Sequence, residues 1–160
     1  MGIDRWSSPF AYVGIVREVI ARMKYRGAHG AVGWVADAMV ATLEPPLPAV
    51  VTWAPTTPSR RRDRGFDHAE LLARAVARRL RRRCRRLLTR RPGPPQTGLG
   101  RAARLAGPRF GTRRRVPVSV LLVDDIATTG ATLAAAADAL RVAGARTVVG
   151  LTAARTPAPG

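Results

Sequence analysis

The chain of 160 residues contains one cysteine, Cys84, and two histidines, His29 and His68. These are too few for a zinc cluster of cysteines and histidines or for a framework of disulfides. We therefore expect a protein without zinc in a reducing, cytoplasmic setting. There is also only one lysine, Lys24. Because a P-loop requires Gly-Lys followed by Ser or Thr, and Tyr25 follows this lysine, the common ATP- and GTP-binding machinery is excluded.

Long apolar runs are missing as well. The most apolar early stretch, residues 11–20, is interrupted by Arg17 and Glu18 and has no small-residue cleavage pattern. Neither a signal peptide nor a membrane span is predicted, so we expect a soluble protein with no membrane partner.

Acidic residues are scarce: Asp and Glu number 10 against 28 Lys and Arg, and the net charge is +18. So basic a surface attracts anions, and nucleic acid, membrane phosphate and small phosphorylated ligands all qualify by charge. Aromatic residues are few too, with three Trp, two Tyr and three Phe, and none lies in the arginine-rich residues 74–91. A platform for stacking bases is not evident there, and a solvated face explains these arginines equally well.

Hydrophobic periodicity divides the chain into helices and strands. The predicted helices cover residues 12–26, 32–43, 68–82 and 131–143. The predicted strands cover residues 49–53, 84–89, 118–123 and 147–151. Two segments without periodicity are expected to be loops: residues 54–64, which carry four arginines, and residues 96–115, which are long enough for a lid.

This order of elements indicates an α/β domain with a mostly parallel central sheet flanked by helices. We expect a single domain over residues 1–160. Within it we expect a helical segment at 1–45, a core at 46–156 and a tail at 157–160.

One segment, residues 120–132, carries most of the chemical information and reads VLLVDDIATTGAT. The apolar run ends at Asp124 and Asp125, and a turn of threonine and glycine then opens the last helix. In open α/β sheets ligands bind at the carboxyl ends of strands, where the backbone N–H groups of such a turn can bind a phosphate. Carboxylates repel phosphate, so the two aspartates are expected to face sugar hydroxyls or a hydrated Mg²⁺. A ribose 5-phosphate satisfies both halves of the segment.

The same residues resemble the motif that binds 5-phosphoribosyl 1-pyrophosphate (PRPP) in type I phosphoribosyltransferases. Further segments make the chain similar to the ComF family of competence-associated proteins. These segments are Met23 to Gly27, Trp53-Ala54-Pro55, Arg60 to His68 (the family has Arg-x-x-x-Arg-Gly-Phe-Asn-Gln), the positions Gln96, Leu99, Arg104 and Phe110, and Ala154-Arg155-Thr156. The resemblance covers residues 12–156.

The resemblance implies a type I phosphoribosyltransferase-like fold in which residues 1–45 form a helical hood. It also implies a Mg²⁺-dependent transfer of the phosphoribosyl group to a nitrogen acceptor, with release of pyrophosphate. Asp124 and Asp125 are then the catalytic pair, which holds the ribose hydroxyls and, directly or through water, the Mg²⁺. The other implied residues are Ala127, Thr128, Thr129, Gly130, Ala131 and Thr132 for the 5-phosphate, Thr56, Arg60, Arg64 and Arg104 for the pyrophosphate, Gln96, Arg101 and Phe110 on a flexible loop, and Lys24 in the hood for the acceptor.

The chain departs from the family's pattern in two places. Many members begin with a four-cysteine zinc ribbon, whereas this chain has a single cysteine, so no role of that ribbon carries over. Asp67 and His68 stand where the family has Asn-Gln, which changes the residues expected beside the pyrophosphate.

Other interpretations of the same residues stay open. An acid pair after an apolar strand is also similar to the pocket of a response-regulator receiver domain, although no lysine follows it here. The pair can also be a purely structural strand end. Cys84 is expected to be a small buried apolar residue, and His68 and His29 to cap or pack.

The net charge and the association of the resembling family with competence lead to a second functional hypothesis. In it the chain is a non-catalytic accessory protein of DNA uptake that binds single-stranded DNA through its arginine-rich surface, with competence or recombination proteins as partners.

Overall fold

A computed structural model of the protein describes residues 2–23, 29–92, 107–113 and 115–158. The helices in this part of the chain are α1 (Gly14–Met23), α2 (His29–Ala41), α3 (Pro58–Arg64), α4 (His68–Leu80) and α5 (Ala131–Val142). The strands are β1 (Arg5–Ser7), β2 (Phe10–Ala11), β3 (Val50–Trp53), β4 (Arg83–Cys84), β5 (Leu88–Arg91), β6 (Arg109–Thr112), β7 (Ser119–Ala127) and β8 (Thr147–Arg155).

Six strands form one sheet in which every pairing is parallel. The order is β1-β8-β7-β3-β4, and β2 pairs with the far end of β8. Strands β5 and β6 form a separate antiparallel pair. The prediction of a mostly parallel central sheet flanked by helices is confirmed.

The sheet is covered on both faces because its central strands are apolar on both sides. Val51, Leu121 and Val149 pack against α1, α2 and α4 on one face. Their neighbours Val120 and Leu122 pack against α5 on the other. Successive side chains of a strand point to opposite faces, so one continuous apolar run supplies both layers.

Residues 54–64, predicted to be a loop, contain the short helix α3. Thr57 caps it, accepting a hydrogen bond from the backbone N–H of Arg60, and Pro58 occupies the first turn. Gly65 ends it in the left-handed region, with φ at 78°. Arg60 and Arg64 therefore stand one helical turn apart on the same face.

Two further predictions about the middle of the chain are corrected by the structure. The single strand predicted over residues 84–89 is two strands, since β4 pairs with β3 and β5 pairs with β6. In the segment 96–115, predicted to be a loop, residues 109–112 form β6, so Phe110 lies in a strand, and residues 96–106 and 114 lie outside the described residues. Phe110 faces Arg90 across the pair and packs against the α5 side of the core, which gives this short segment its structure.

Several predicted site residues lie outside the described part of the chain. They are Lys24, Gln96, Arg101 and Arg104.

The two longest strands extend beyond their predicted ends. The acid pair was expected to terminate the strand that precedes it, yet β7 continues through both aspartates to Ala127. The continuation follows from backbone pairing, because Asp124 lies opposite Thr152 and Ala127 opposite Arg155 in β8. Ladder hydrogen bonds do not depend on side-chain polarity, so the apolar pattern stops before the strand does.

Strands β1 and β2 lie within residues 1–45, which were expected to be helical. They are three and two residues long, respectively, which is too short to leave a periodic pattern, and both extend the sheet along β8. Trp6 secures the first of them: its indole N–H donates to Thr152 Oγ1 at 3.1 Å. A Cβ at Gly150 would lie 3.4 Å from the same ring, so this glycine lets the indole lie on β8.

Within the described ranges, no helix is both long enough and apolar enough to cross a lipid bilayer.

Trp6→Ala should lower the free energy of unfolding by about 2 kcal/mol, because it removes a half-buried indole and its hydrogen bond. Urea unfolding followed by circular dichroism measures this change. Trp34→Ala is the matched control, since Trp34 is 56% exposed and should lose about 1 kcal/mol or less with its stacking on Phe10. Equal stabilities of Trp6→Ala and the wild type would contradict the docking of β1 on β8.

Candidate functional site

A cavity of about 350 Å³ lies at the carboxyl ends of β3 and β7. It exists because the two strands part there: Trp53 and Val123 are the last residues paired between them. Strand β7 continues along β8, whereas the chain after β3 turns away into α3. The cavity is lined by Tyr12, Ala54, Pro55, Thr56, Arg60, Arg64, Phe66, Asp67, His68, Ala69, Arg90, Asp124, Asp125, Ile126, Thr128 and Thr132.

Seven of the residues predicted from the sequence come together in this lining. They are Thr56, Arg60, Arg64, Asp124, Asp125, Thr128 and Thr132. Ala127 is buried in the core below the turn, and Thr129, Gly130 and Ala131 complete the turn without lining the cavity.

The acid pair is held by its own backbone. Asp124 Oδ1 accepts the N–H of Asp125 at 2.9 Å, and Asp125 Oδ1 accepts the N–H of Ile126 at 2.7 Å. Asp124 is 8% exposed, and burial together with the adjacent Asp125 raises its pKa well above the ordinary range. The charged form of this carboxyl group is therefore unfavourable in the pocket, and a cation or a hydroxyl donor bound beside it would stabilise that form.

The turn after β7 leads into the N-terminus of α5. Gly130 stands at the helix cap with φ at 78°, a conformation that favours glycine. Thr129 Oγ1 accepts the N–H of Ala131 at 3.3 Å, while Thr128 and Thr132 line the cavity. A helix N-terminus presents backbone N–H groups and partial positive charge, so this side of the pocket suits a phosphate.

Three arginines line the pocket, two from α3 and one, Arg90, from β5. The guanidinium carbon of Arg90 lies 5.0 Å from the centre of the Phe110 ring. Burial lowers the pKa of Arg90, and the positive charge of Arg60 lowers it further. The negative charge of Asp124 acts in the opposite direction and raises the pKa. Among the described residues no carboxylate oxygen lies within 4.0 Å of any of the three arginines, so their charges are available to an anion.

Arg90 is the functional candidate that sequence reasoning missed. It falls in residues 74–91, which were equally well explained as a solvated face. Only the pairing of Arg90 with Phe110 across β5 and β6 turns it into the pocket, and β6 lies in a segment predicted to be a loop.

Asp67 joins the two segments that form the pocket's rim. Its Oδ2 accepts the N–H of Thr56 at 2.9 Å, and its Oδ1 accepts the N–H of Ala69 at 3.1 Å, capping α4. It is 5% exposed, and burial raises its pKa although both hydrogen bonds lower it. His68 is buried beside it, with its ring edge-on to Phe66 at 4.9 Å between centres.

Cys84 lies outside this pocket and is half-buried. Burial raises the pKa of its thiol to about 11, so the thiol stays protonated and unreactive at neutral pH.

The chemistry of the acid pair suits Mg²⁺, which prefers carboxylate oxygens and retains several waters. In the part of the chain that the structure describes, no group of three or more His, Cys, Asp or Glu side chains is placed to hold a metal alone. Asp124 and Asp125 could therefore hold the ion only with oxygens from a ligand or water.

No family model matches the chain, and no curated protein matches its sequence. Among solved structures it is similar to an allosteric regulatory enzyme of purine biosynthesis, with a TM-score of 0.57 and 20% identity. That match covers 83% of this chain but only 30% of the other. A hypoxanthine phosphoribosyl transferase from Trypanosoma cruzi matches over 91% of this chain and 70% of its own, at 16% identity and a TM-score of 0.45. The match to the purine-biosynthesis enzyme shows the fold of this chain, which is the predicted type I phosphoribosyltransferase-like fold.

Asp124→Asn should stabilise the ligand-free protein at pH 7 by about 1 kcal/mol, because a neutral amide replaces a buried charge and can still accept the N–H of Asp125. Urea unfolding at several pH values tests this. The folded-state pKa of Asp124 is raised, so its unfavourable charge acts fully above that pKa and disappears as the pH falls through it.

The stability difference between Asp124→Asn and the wild type should accordingly narrow as the pH falls from 7 toward about 4. Asp138→Asn, at an exposed position of α5, should follow the wild type throughout. A difference that did not change with pH would contradict the burial of a charged Asp124.

Proposed function

We propose that the protein binds PRPP in this pocket and, with Mg²⁺, transfers its 5-phosphoribosyl group to a nitrogen acceptor with release of pyrophosphate. One observation carries the proposal: a turn at a helix N-terminus, an acid pair and three arginines line the same cavity. PRPP has three matching parts, which are the 5-phosphate, the ribose hydroxyls and the diphosphate.

The turn at residues 128–132 would hold the 5-phosphate, through backbone N–H groups and the hydroxyls of Thr128 and Thr132. Asp124 and Asp125 would accept hydrogen bonds from the ribose hydroxyls, which are donors that carboxylates prefer. When bound, Mg²⁺ would lie on these carboxylates and on ligand oxygens, neutralising part of the diphosphate charge.

The arginines would hold the diphosphate at the opposite end of the pocket. Guanidinium groups form paired, charge-assisted hydrogen bonds to phosphate oxygens. Arg60 and Arg64 approach from α3 and Arg90 approaches from β5, so the diphosphate would be held from two elements.

In the transfer, the acceptor nitrogen forms a bond to C1 of the ribose as the bond from C1 to the diphosphate oxygen breaks. Pyrophosphate leaves with the electron pair, the acceptor nitrogen loses a proton, and C1 passes through an oxocarbenium-like state. The chain's own contribution is electrostatic: carboxylates lie near the developing positive charge and arginines near the leaving group.

Asp125→Asn should weaken PRPP binding about 30-fold or more in the presence of Mg²⁺, because it removes a charged partner of the ribose and the metal. Calorimetric titration of PRPP measures this, with Asp138→Asn as the surface control. Ribose 5-phosphate, tested in parallel, should bind the wild type more weakly than PRPP. Unchanged affinity of a folded Asp125→Asn protein for PRPP would refute the site.

A specific cluster favours a second candidate function, the binding of single-stranded nucleic acid. Burial lowers the pKa of Arg86, and the charges of Arg113 and Arg61 lower it further. None of these three arginines forms an ion pair with a carboxylate in the described ranges. Guanidinium groups that repel one another and lack a carboxylate partner in the described ranges offer a site for successive phosphates.

Replacing Arg61, Arg86 and Arg113 by alanine should reduce the salt dependence of binding to a single-stranded oligonucleotide. Each lost phosphate contact flattens the slope of log K against log salt by about 0.7, so the triple variant should lose about 2. Fluorescence anisotropy at several salt concentrations measures the slope, with Arg22→Ala, an exposed position in α1, as control. Affinity that did not fall between low and physiological salt would exclude this function.

A further inference from the structure

The helix that carries Arg60 and Arg64 has little to hold it in place. Helix α3 is seven residues long and contains no buried residue, so core packing does not fix its direction. At its start the chain leaves β3 through Ala54, whose N–H donates to the carbonyl of Val123 at 3.0 Å. Between that bond and the cap at Thr57, the N–H of Thr56 donates to Asp67, and this hydrogen bond connects the turn to the start of α4.

Asp67 is itself held in place by a well-packed helix. The same carboxylate caps α4, a helix with seven buried residues that packs on β3 and β7. Thr56 is thus fastened to the core through one side chain, and the turn that aims Arg60 and Arg64 is fastened with it.

A carboxylate suits this task, whereas an amide does not. Asp67 receives N–H donors from two different segments, one on each oxygen. Asparagine has a single acceptor oxygen, and its NH₂ group would face one of the two donors. An N-cap alone would be served equally well by asparagine or serine, so the second oxygen is explained by Thr56.

The charge of Asp67 is a disadvantage in a pocket for an anion. It is buried, and it adds to the repulsion that raises the pKa of Asp124. If Asp67 acted on a diphosphate only through its charge, removing that charge would strengthen binding. If it acts through the geometry of the turn, removing the second acceptor would weaken binding.

We propose that Asp67 is a positioning residue for the diphosphate end of the pocket, which fixes the turn at Thr56 so that Arg60 and Arg64 converge on the ligand. This inference rests on the proposed function. It assigns to the diphosphate subsite a residue that acts through the turn at Thr56, with an effect on binding opposite in sign to that of its charge.

Asp67→Asn is the decisive variant, because it keeps the cap on α4, removes the negative charge and loses the bond to Thr56. Inorganic pyrophosphate with Mg²⁺ is the probe, titrated by calorimetry into the full chain. We expect its dissociation constant to rise about 10-fold, as for one misaligned charge-assisted contact. Ribose 5-phosphate, which uses the other end of the pocket, should bind both proteins alike, and Asp67→Ser should behave as Asp67→Asn.

A double-mutant cycle identifies the residues through which Asp67 acts. Asp67→Asn combined with Arg60→Gln should weaken pyrophosphate binding by less than the product of the single effects, because both act through α3. Asp67→Asn combined with Arg90→Gln should give the full product, because Arg90 is carried by β5. Tighter or unchanged binding of pyrophosphate by a folded Asp67→Asn protein would overturn the inference.

Amide hydrogen exchange separates this inference from the proposed function. The N–H of Thr56 should exchange at least 10-fold faster in Asp67→Asn than in the wild type, whether or not a ligand is present. If the wild type bound neither PRPP nor pyrophosphate, the proposed function would fail. The exchange rate would still decide whether Asp67 fixes the turn, and an unchanged rate would overturn that claim too.

Discussion

The parallel pairing of β7 between β3 and β8 is the constraint on which the rest of the structure depends. On one side β7 is paired with β8 as far as Ala127, and on the other side β3 leaves it after Val123. The separation opens a space beside the last four residues of β7, of which the first two are Asp124 and Asp125. The same separation sends the chain into α3, so arginines of α3 and the two aspartates of β7 line the same pocket. A difference of four residues between two strand ends therefore creates the site.

The charged residues in this space lower the stability of the folded protein. Asp124 is buried beside Asp125, and three arginines share the cavity without a carboxylate partner in the described ranges. A pocket evolved for stability would pair these charges or replace them with apolar side chains. Clusters of perturbed, unpaired charges in a cleft are typical of sites that a ligand completes. A ligand that carries hydroxyl donors at its centre and phosphates at both ends would provide partners for the aspartates and for the arginines.

Two parts of the site could be predicted from the sequence: residues 124–132 from their own pattern, and Thr56, Arg60 and Arg64 from the family resemblance. Residues 124–132 combine strand end, turn and helix N-terminus in one segment, so the pattern alone places them. Arg90 could not be predicted, because only its pairing with Phe110, twenty residues later, turns it toward the pocket. Strands β1 and β2 were missed for a related reason, since so short an element is defined by its partner β8 and leaves no period of its own. The fold class was nevertheless predicted correctly, because the apolar runs of β3, β7 and β8 are enough to indicate a parallel sheet.

Phosphorus NMR of PRPP with Mg²⁺ tests the central claim most directly, because one spectrum reports on both ends of the ligand. The account predicts that added protein shifts or broadens the 5-phosphate resonance and both diphosphate resonances. With Arg60→Gln and Arg90→Gln combined, the change should persist at the 5-phosphate and diminish at the diphosphate. A spectrum unaffected by the wild-type protein, or one in which the arginine variants change both ends equally, would contradict the account.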